Sequence, residues 1–170
     1  MKCGAWIIKV PEPTSSAFPA RLKAQEDYLG SHLAPWLLDA PPASLGDCHS
    51  FHFMRYIDAT HAGHGGISLE LRVLGAAQAV QKAAAEVEAE FARQKAAGFI
   101  LTFEPKAVAD WQAGDDYGGN ALSEPFAELL AASTRLALQL LKEPRRDFGA
   151  RNAVVANWAH CVRLVASGMG

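Results

Sequence analysis

The chain has 170 residues, a formal net charge of −2, 50% hydrophobic residues and 20% charged residues. This length fits one domain covering residues 1–170, and the apolar half of the chain is large enough to form a core, which excludes a disordered protein. The balanced charge argues against a nucleic-acid-binding protein, because such proteins usually carry a basic excess or a basic stripe.

The cysteines and the hydropathy pattern indicate the compartment. Three widely spaced cysteines, Cys3, Cys48 and Cys161, form no disulfide framework and fit a reducing environment. No apolar run is long enough for a signal peptide or a membrane span. We therefore expect a soluble, cytoplasmic protein with no membrane partner and no nucleic-acid partner.

The first part of the chain predicts a strand and a helix. Cys3–Val10 is a compact apolar run with tryptophan and β-branched residues, which favours a buried strand. Apolar residues recur at helical spacing over Arg21–Leu38, although Gly30 and Pro35 weaken this helix. Two prolines and a glycine in Asp39–Asp47 predict a loop.

A hairpin is predicted next. His49–Ile57 is rich in aromatic residues and favours a strand, and the glycine-rich Asp58–Gly66 favours a connection. Ile67–Leu74 alternates apolar and polar residues, which predicts a half-buried strand. Its predicted buried face carries Ile67, Leu69, Leu71 and Val73, and its predicted polar face carries Ser68, Glu70 and Arg72.

The remainder predicts one more strand and three helices. In chain order they are a helix over Ala76–Ala97, a strand over Phe99–Phe103, a loop over 106–119, a helix from Asn120 or Ser123 to Lys142, and a helix from about Asp147 to Ser167. The first six elements of the chain match the ferredoxin-like βαββαβ pattern. We therefore predict an α+β fold, with a ferredoxin-like antiparallel sheet and two additional C-terminal helices.

Histidines provide the first candidate site. His61 and His64 flank the glycine-rich connection, and His49 and His52 lie on a predicted strand. A metal site needs three or four convergent ligands, but residues three apart on a strand point to opposite faces. We therefore predict no metal site and no cofactor, and a small metalloprotein using His61 and His64 is the weaker alternative.

Two arginines of the hairpin form the second candidate site. Arg55 lies at the end of one strand and Arg72 on the polar face of the next. If the hairpin brings them together on one face, their guanidinium groups would bind a carboxylate or a phosphate. The alternative is an ordinary polar sheet face on which Glu70 forms a salt bridge.

The third and fourth candidates lie towards the C-terminus. On the last predicted helix, Asn157, His160 and Arg163 share one sector opposite the apolar stripe, so a histidine lies beside an anion-binding group. The alternative is a solvated helix face. Before the preceding helix, Asp115–Gly119 supplies glycines at a helix N-terminus, which can receive an anion.

Short segments in chain order carry a family resemblance. They are Ala5–Val10, Leu29–Leu37, Phe53–Asp58, Ser68–Val73, the run Tyr117-Gly118-Gly119 followed by Phe126 and Ser133, and His160–Leu164. In that order they resemble an opening strand, a leucine-rich helix, an "F-x-R-Y-x-D" strand, an "H-L-R-L-R" strand, an "R-Y-G-G … F … S" helix entry and the end of an "H-M-H-x-N-R-L" helix. These belong to the C-terminal, glutamate-eliminating domain of class I lantibiotic dehydratases, also called the thiopeptide-type bacteriocin biosynthesis domain.

The resemblance implies a function in ribosomal peptide natural-product biosynthesis. Members of this family eliminate glutamate from glutamylated Ser or Thr of a precursor peptide, and relatives form a pyridine ring by cycloaddition. By resemblance, Arg55 and Arg72 would bind an anionic group and His160 would move a proton. The substrate-binding residues would be Tyr117, Gly118, Gly119, Asn157 and Arg163.

Several departures from the family pattern define an alternative. Family arginines are replaced by Glu70 and Asp116, family histidines by Ser68 and Trp158, and a family asparagine by Val162. The leading hypothesis is a stand-alone lyase or related peptide-modifying enzyme, and the alternative is a non-catalytic accessory module that binds the precursor peptide or a partner dehydratase. An apolar surface patch on a small sheet also predicts a homodimer.

Overall fold

A computed structural model describes residues 1–11, 18–57, 67–111 and 119–142 of the chain. The described part is mixed helix and sheet, with four strands and four helices, as the α+β prediction requires. In chain order these elements are β1 (Lys2–Lys9), α1 (Phe18–Tyr28), α2 (Ala43–Gly46), β2 (Ser50–Ile57), β3 (Ile67–Gly75), α3 (Ala77–Ala96), β4 (Thr102–Asp110) and α4 (Ser123–Lys142).

Most predicted elements lie within one or two residues of the observed ones. Three predicted strands correspond to β1, β2 and β3, and the helix predicted over Ala76–Ala97 is α3. The helix predicted from Asn120 or Ser123 to Lys142 is α4, and the helix predicted after it lies outside the described residues. Among the helices that the structure describes, none combines the length and the apolar character needed to cross a membrane.

Two predictions of local structure are wrong. The fourth strand is predicted over Phe99–Phe103, whereas β4 covers Thr102–Asp110 and includes most of what the sequence indicates as a loop. This strand is exposed almost throughout, so its sequence lacks the alternation of apolar and polar residues that predicts a strand. In addition, a proline such as Pro105 usually predicts the end of a strand. The short helix α2 interrupts the loop predicted over Asp39–Asp47.

The four strands form one antiparallel sheet in the order β2-β3-β1-β4, so β1 and β3 are central. On the outer strand β4, Pro105 lies opposite Trp6 of β1. The Met1 carbonyl accepts a hydrogen bond from the Trp111 N–H. The backbone N–H and C=O groups of the odd-numbered residues of β1 therefore face β4, and those of Trp6 face β3. The ring nitrogen of Pro105 therefore lies on the outer edge of the sheet, where a missing N–H breaks no ladder bond.

Helix α1 continues beyond Tyr28 in two wider, π-helical turns, Leu29–Leu33 and Pro35–Asp39. The helix predicted over Arg21–Leu38 is therefore present in a modified form. A proline cannot donate the hydrogen bond of a regular turn and crowds the turn before it, and a wider turn relieves both effects. Despite this change of pitch, the leucines stay buried at Leu29, Leu33 and Leu37.

The core lies between these helices and one face of the sheet, which we call the apolar face. Helix α3 packs against β1, β3 and β4 on this side. The buried cluster includes Trp6, Ile8, Leu69, Leu71, Val73, Leu29, Leu33, Val87 and Phe91. The predicted alternation of β3 is therefore confirmed for its described apolar side chains.

Helix α4 lies along β2, at the edge of the sheet opposite β4. The backbone N–H of Phe53 donates a hydrogen bond to the Thr134 hydroxyl oxygen at 3.2 Å, and Thr134 is buried. The helix therefore satisfies a backbone group that an edge strand normally leaves to water.

Replacing Thr134 with Val is expected to lower the free energy of unfolding by about 1–3 kcal/mol. Valine keeps the shape but leaves the partly buried N–H of Phe53 without an acceptor. Urea denaturation of Thr134→Val and of Thr102→Val, an exposed threonine of β4, gives the comparison. Equal stability of the two variants would contradict a contribution from this hydrogen bond.

Candidate functional site

The candidate site lies on the sheet face opposite the core, which we call the polar face. In β3, Glu70 and Arg72 alternate with the buried residues of the apolar face. Arg72 lies opposite His52 of β2 on one side and Ala5 of β1 on the other. Ala5 in turn lies opposite Lys106 of β4. One row across the four strands therefore carries a histidine, an arginine, an alanine and a lysine.

A carboxylate joins the two cations of this row. Glu70 receives a hydrogen bond from Arg72 Nε at 2.5 Å on one oxygen and from Lys106 Nζ at 2.6 Å on the other. The side chain of Glu70 is 2% exposed, whereas those of Arg72 and Lys106 are 23% and 47% exposed. The anion is therefore buried next to the sheet, and the cations extend from it towards solvent.

The protonation of Glu70 follows from these contacts. Burial alone would raise the pKa of the Glu70 carboxyl, but the hydrogen bonds and positive charges of Lys106 and Arg72 outweigh burial and lower this pKa below its ordinary value. Glu70 is consequently ionised at neutral pH. The three charged groups together leave one net positive charge.

The imidazole of His52 is fully buried beside this cluster. Within the described part of the chain neither ring nitrogen has a hydrogen-bond partner, and the Trp111 ring lies 6.3 Å away between centroids. Burial, with the nearby positive charge of Arg72, lowers the pKa of His52 to about 4, and the charge of Glu70 opposes the shift. His52 is therefore an uncharged base at neutral pH.

The second predicted arginine lies elsewhere. Arg55 is opposite Leu69, a core residue of the apolar face, while Arg72 is on the polar face. The expectation that the two guanidinium groups come together on one face is therefore wrong. The physical reason is the two-residue repeat of a strand, since the register, which the sequence does not specify, decides the face of each side chain.

The environment of Arg55 differs from that of Arg72. Burial lowers the pKa of Arg55, and the negative charge of Glu26 of α1 opposes this shift. Arg72 instead pairs with Glu70 on its own strand. The alternative of a polar sheet face with Glu70 as salt-bridge partner is thus confirmed for Arg72.

The remaining predicted residues are located as follows. Gly119 begins the helical turn Gly119–Leu122 that precedes α4. The other predicted positions lie outside the described residues: Tyr117, Gly118, Asn157, His160, Arg163, His61 and His64. In the ranges that the structure describes, no group of three or more His, Cys, Asp or Glu side chains could hold a metal ion.

Two residues of the polar face are absent from the predicted site, His52 as a neighbour of Arg72 and Lys106 as a partner of Glu70. Lys106 lies in a segment predicted as a loop, so its sequence position gives no reason to place it beside β3. His52 has a weak signal, because it is three positions from Arg55 on the same strand and alternation places the two side chains on opposite faces.

The fold described above also occurs as part of a much longer protein of known structure. The chain is similar to the solved structure of the tRNA-dependent lantibiotic dehydratase MibB from Microbispora sp. 107891, with a TM-score of 0.62 and 21% sequence identity. The match covers 86% of this chain and 12% of the dehydratase chain. No protein-family model and no curated protein matches the chain. The resemblance indicated by the sequence motifs is therefore confirmed for the fold.

Proposed function

We propose that this protein acts in the biosynthesis of a ribosomal peptide natural product of the lantibiotic or thiopeptide type. Its substrate would be a modified precursor peptide, and its reaction a lyase-type elimination or a cycloaddition. The observation that carries the proposal is the likeness of fold to a lantibiotic dehydratase over 86% of the chain. The order of the sequence motifs along the chain also supports it.

Within this proposal the arrangement of strands is ferredoxin-like. Apart from the short helix α2, the elements from β1 to β4 follow the order βαββαβ, and this order and the sheet order β2-β3-β1-β4 support this grouping. The proposed partners are the precursor peptide and a partner dehydratase or other modifying enzyme, with a second copy of the chain in a homodimer.

The proposed residue roles follow the chemistry of the groups. Arg72 is the proposed anion-binding group, and its position between His52 and Ala5 on the polar face supports this role. Arg55 is a second proposed anion-binding group, on the other face, and His160 is the proposed proton-transfer group. The proposed peptide contacts are Tyr117, Gly118, Gly119, Asn157 and Arg163.

Replacing Arg72 with Ala is expected to lower product formation from a precursor peptide by about 100-fold or more, the usual result of removing one charged group that stabilises a reaction. Mass spectrometry of glutamylated and dehydrated precursor peptides, incubated with the purified protein, gives the readout. Arg93→Ala is the matched control, because Arg93 also pairs with a glutamate of its own element but lies on helix α3. Turnover by Arg72→Ala equal to that of Arg93→Ala would contradict the proposed role.

The second candidate function is a non-catalytic accessory module that binds the precursor peptide. The observation that favours it is the pairing of Arg72 and Lys106 with Glu70, which neutralises part of their charge. A fluorescently labelled precursor peptide should then bind the protein and be recovered with unchanged mass. With the partner dehydratase present, its mass should be the one that the dehydratase alone produces. Any change of peptide mass that depends on this protein and not on the dehydratase alone would exclude this alternative.

A further inference from the structure

We propose that Arg72 and Lys106 form a carboxylate-binding site that the protein fills with its own Glu70, so that Glu70 determines specificity by excluding ligands with a carboxylate at this position. The preferred ligand at the polar face is then a peptide whose side chain at this position carries no negative charge. The carboxylate site itself follows from the contacts, whereas the peptide as ligand rests on the function proposed above.

The contacts of Glu70 are those of a bound carboxylate. Each of its oxygens accepts a hydrogen bond from a different cation, at 2.5 Å from Arg72 and 2.6 Å from Lys106. Charge-assisted bonds of this length from two cations are typical of strong carboxylate recognition. A ligand carboxylate in the same place would satisfy the same donors.

The sheet holds this arrangement in place. Arg72 and Ala5 lie on the two central strands, and Lys106 follows on the outer strand. Ala5 separates the two cations by one strand and presents only a methyl group, so the row leaves room for the carboxylate that both cations bind. Glu70 enters this space from two residues away on β3 and is almost completely buried there.

An external carboxylate would compete poorly with Glu70. The Glu70 carboxylate is attached to the same sheet and has a high effective concentration at the two cations, whereas a ligand must lose its freedom of motion to bind. Displaced from its cations, Glu70 would also leave a costly negative charge next to the sheet. The anionic group that Arg72 is proposed to bind in the reaction is then not a carboxylate but the negative charge that develops on the peptide as it reacts.

Removal of Glu70 tests the carboxylate site without any peptide. The stability of Glu70→Ala is measured in increasing sodium acetate against sodium chloride of equal ionic strength. We expect acetate to raise the melting temperature of Glu70→Ala saturably, by about 3 °C or more, and to leave the unaltered protein unchanged. Glu90→Ala is the matched control, since it removes a glutamate that binds Arg93 without a second cation.

Three results of the acetate titration would overturn the proposal. A folded Glu70→Ala protein whose melting temperature does not respond to acetate beyond chloride would overturn the proposal, and so would an equal response of Glu90→Ala. If Glu70→Ala is unfolded in chloride, circular dichroism during the same titration reports refolding. A folded fraction that acetate fails to increase would then equally overturn it.

Peptide binding tests the exclusion. A precursor peptide with a free Ser and the same peptide glutamylated at that Ser are titrated against both proteins. We expect the ratio of their affinities to shift towards the glutamylated peptide by about tenfold in Glu70→Ala. An unchanged ratio would contradict the proposed specificity role. If neither peptide binds either protein, the proposed function fails, while the acetate titration still decides whether the carboxylate site exists.

Discussion

Acidification is expected to destabilise this protein well above the pH at which ordinary carboxylates titrate, because of His52. The imidazole has an ordinary pKa of 6.5 in the unfolded chain, and burial lowers its pKa to about 4 in the folded chain. Between these two values the unfolded chain binds a proton that the folded chain does not, so stability falls as the pH falls. We expect a loss of about 3 kcal/mol in the free energy of unfolding between neutral pH and about pH 4.

Urea denaturation over this pH range measures the effect. His52→Leu should be almost as stable as the unaltered protein at neutral pH, because it removes two buried nitrogens that have no hydrogen-bond partner within the described residues. It should also lose most of the decline between about pH 6.5 and pH 4. His49→Gln, which alters an exposed histidine three residues earlier, serves as the control.

Glu70 acts in a different pH window. Its pKa is lowered in the folded chain, so its contribution to stability is present above its ordinary pKa of 4.5 and is lost as the pH falls further. A decline that begins near pH 6.5 therefore comes from histidines whose pKa is lowered in the folded chain. His52 has the large shift, and the partly buried His32, whose pKa is lowered by burial and by the positive charge of Arg93, adds a smaller part. If His52→Leu retained the full decline in that range, the uncharged, buried state of His52 would be refuted.

The second large effect is expected from the core. Replacing Phe91 with Ala should lower the free energy of unfolding by about 3–5 kcal/mol, since it removes a large buried ring and leaves a cavity. Phe91 is fully buried on α3, and its ring lies 5.8 Å from those of both Trp36 and Phe103 between centroids. It thus joins the end of α1, helix α3 and the outer strand.

Chemical denaturation of Phe91→Ala and Phe99→Ala compares the loss of unfolding free energy for the same substitution at a buried and at an exposed position. Phe99 is 38% exposed and stacks on His32 at the surface, so its replacement should have a much smaller effect. Similar losses for the two variants would show that the three elements do not depend on one another through Phe91.

The sequence predicts the elements well where one face of a strand or helix is buried and the other is exposed. In β3 the alternation around Leu69 and Leu71 identifies both the strand and its buried face. In β4 the same reasoning fails, because an exposed outer strand has no apolar repeat and contains Pro105. Hydropathy reports burial, so it cannot reveal a strand that buries almost nothing.

Only part of the candidate site could be predicted from the sequence. Glu70 and Arg72 are two residues apart on a predicted strand, so their shared face and salt bridge follow from alternation alone. The separation of Arg55 from Arg72 depends on the register of the hairpin, and the contact between Lys106 and Glu70 depends on the strand order. Both are properties of the assembled sheet, set by packing between segments far apart in the chain.

The two outer strands protect the sheet in different ways. On β2, the Phe53 N–H is bonded to Thr134 of helix α4, and on β4, Pro105 places a nitrogen without a hydrogen at the edge. Both features resist the addition of a further strand, the route by which exposed sheet edges begin to aggregate. An extended peptide that binds this protein would therefore gain little by continuing the sheet at these positions, and contacts of its side chains with the polar face would select it instead.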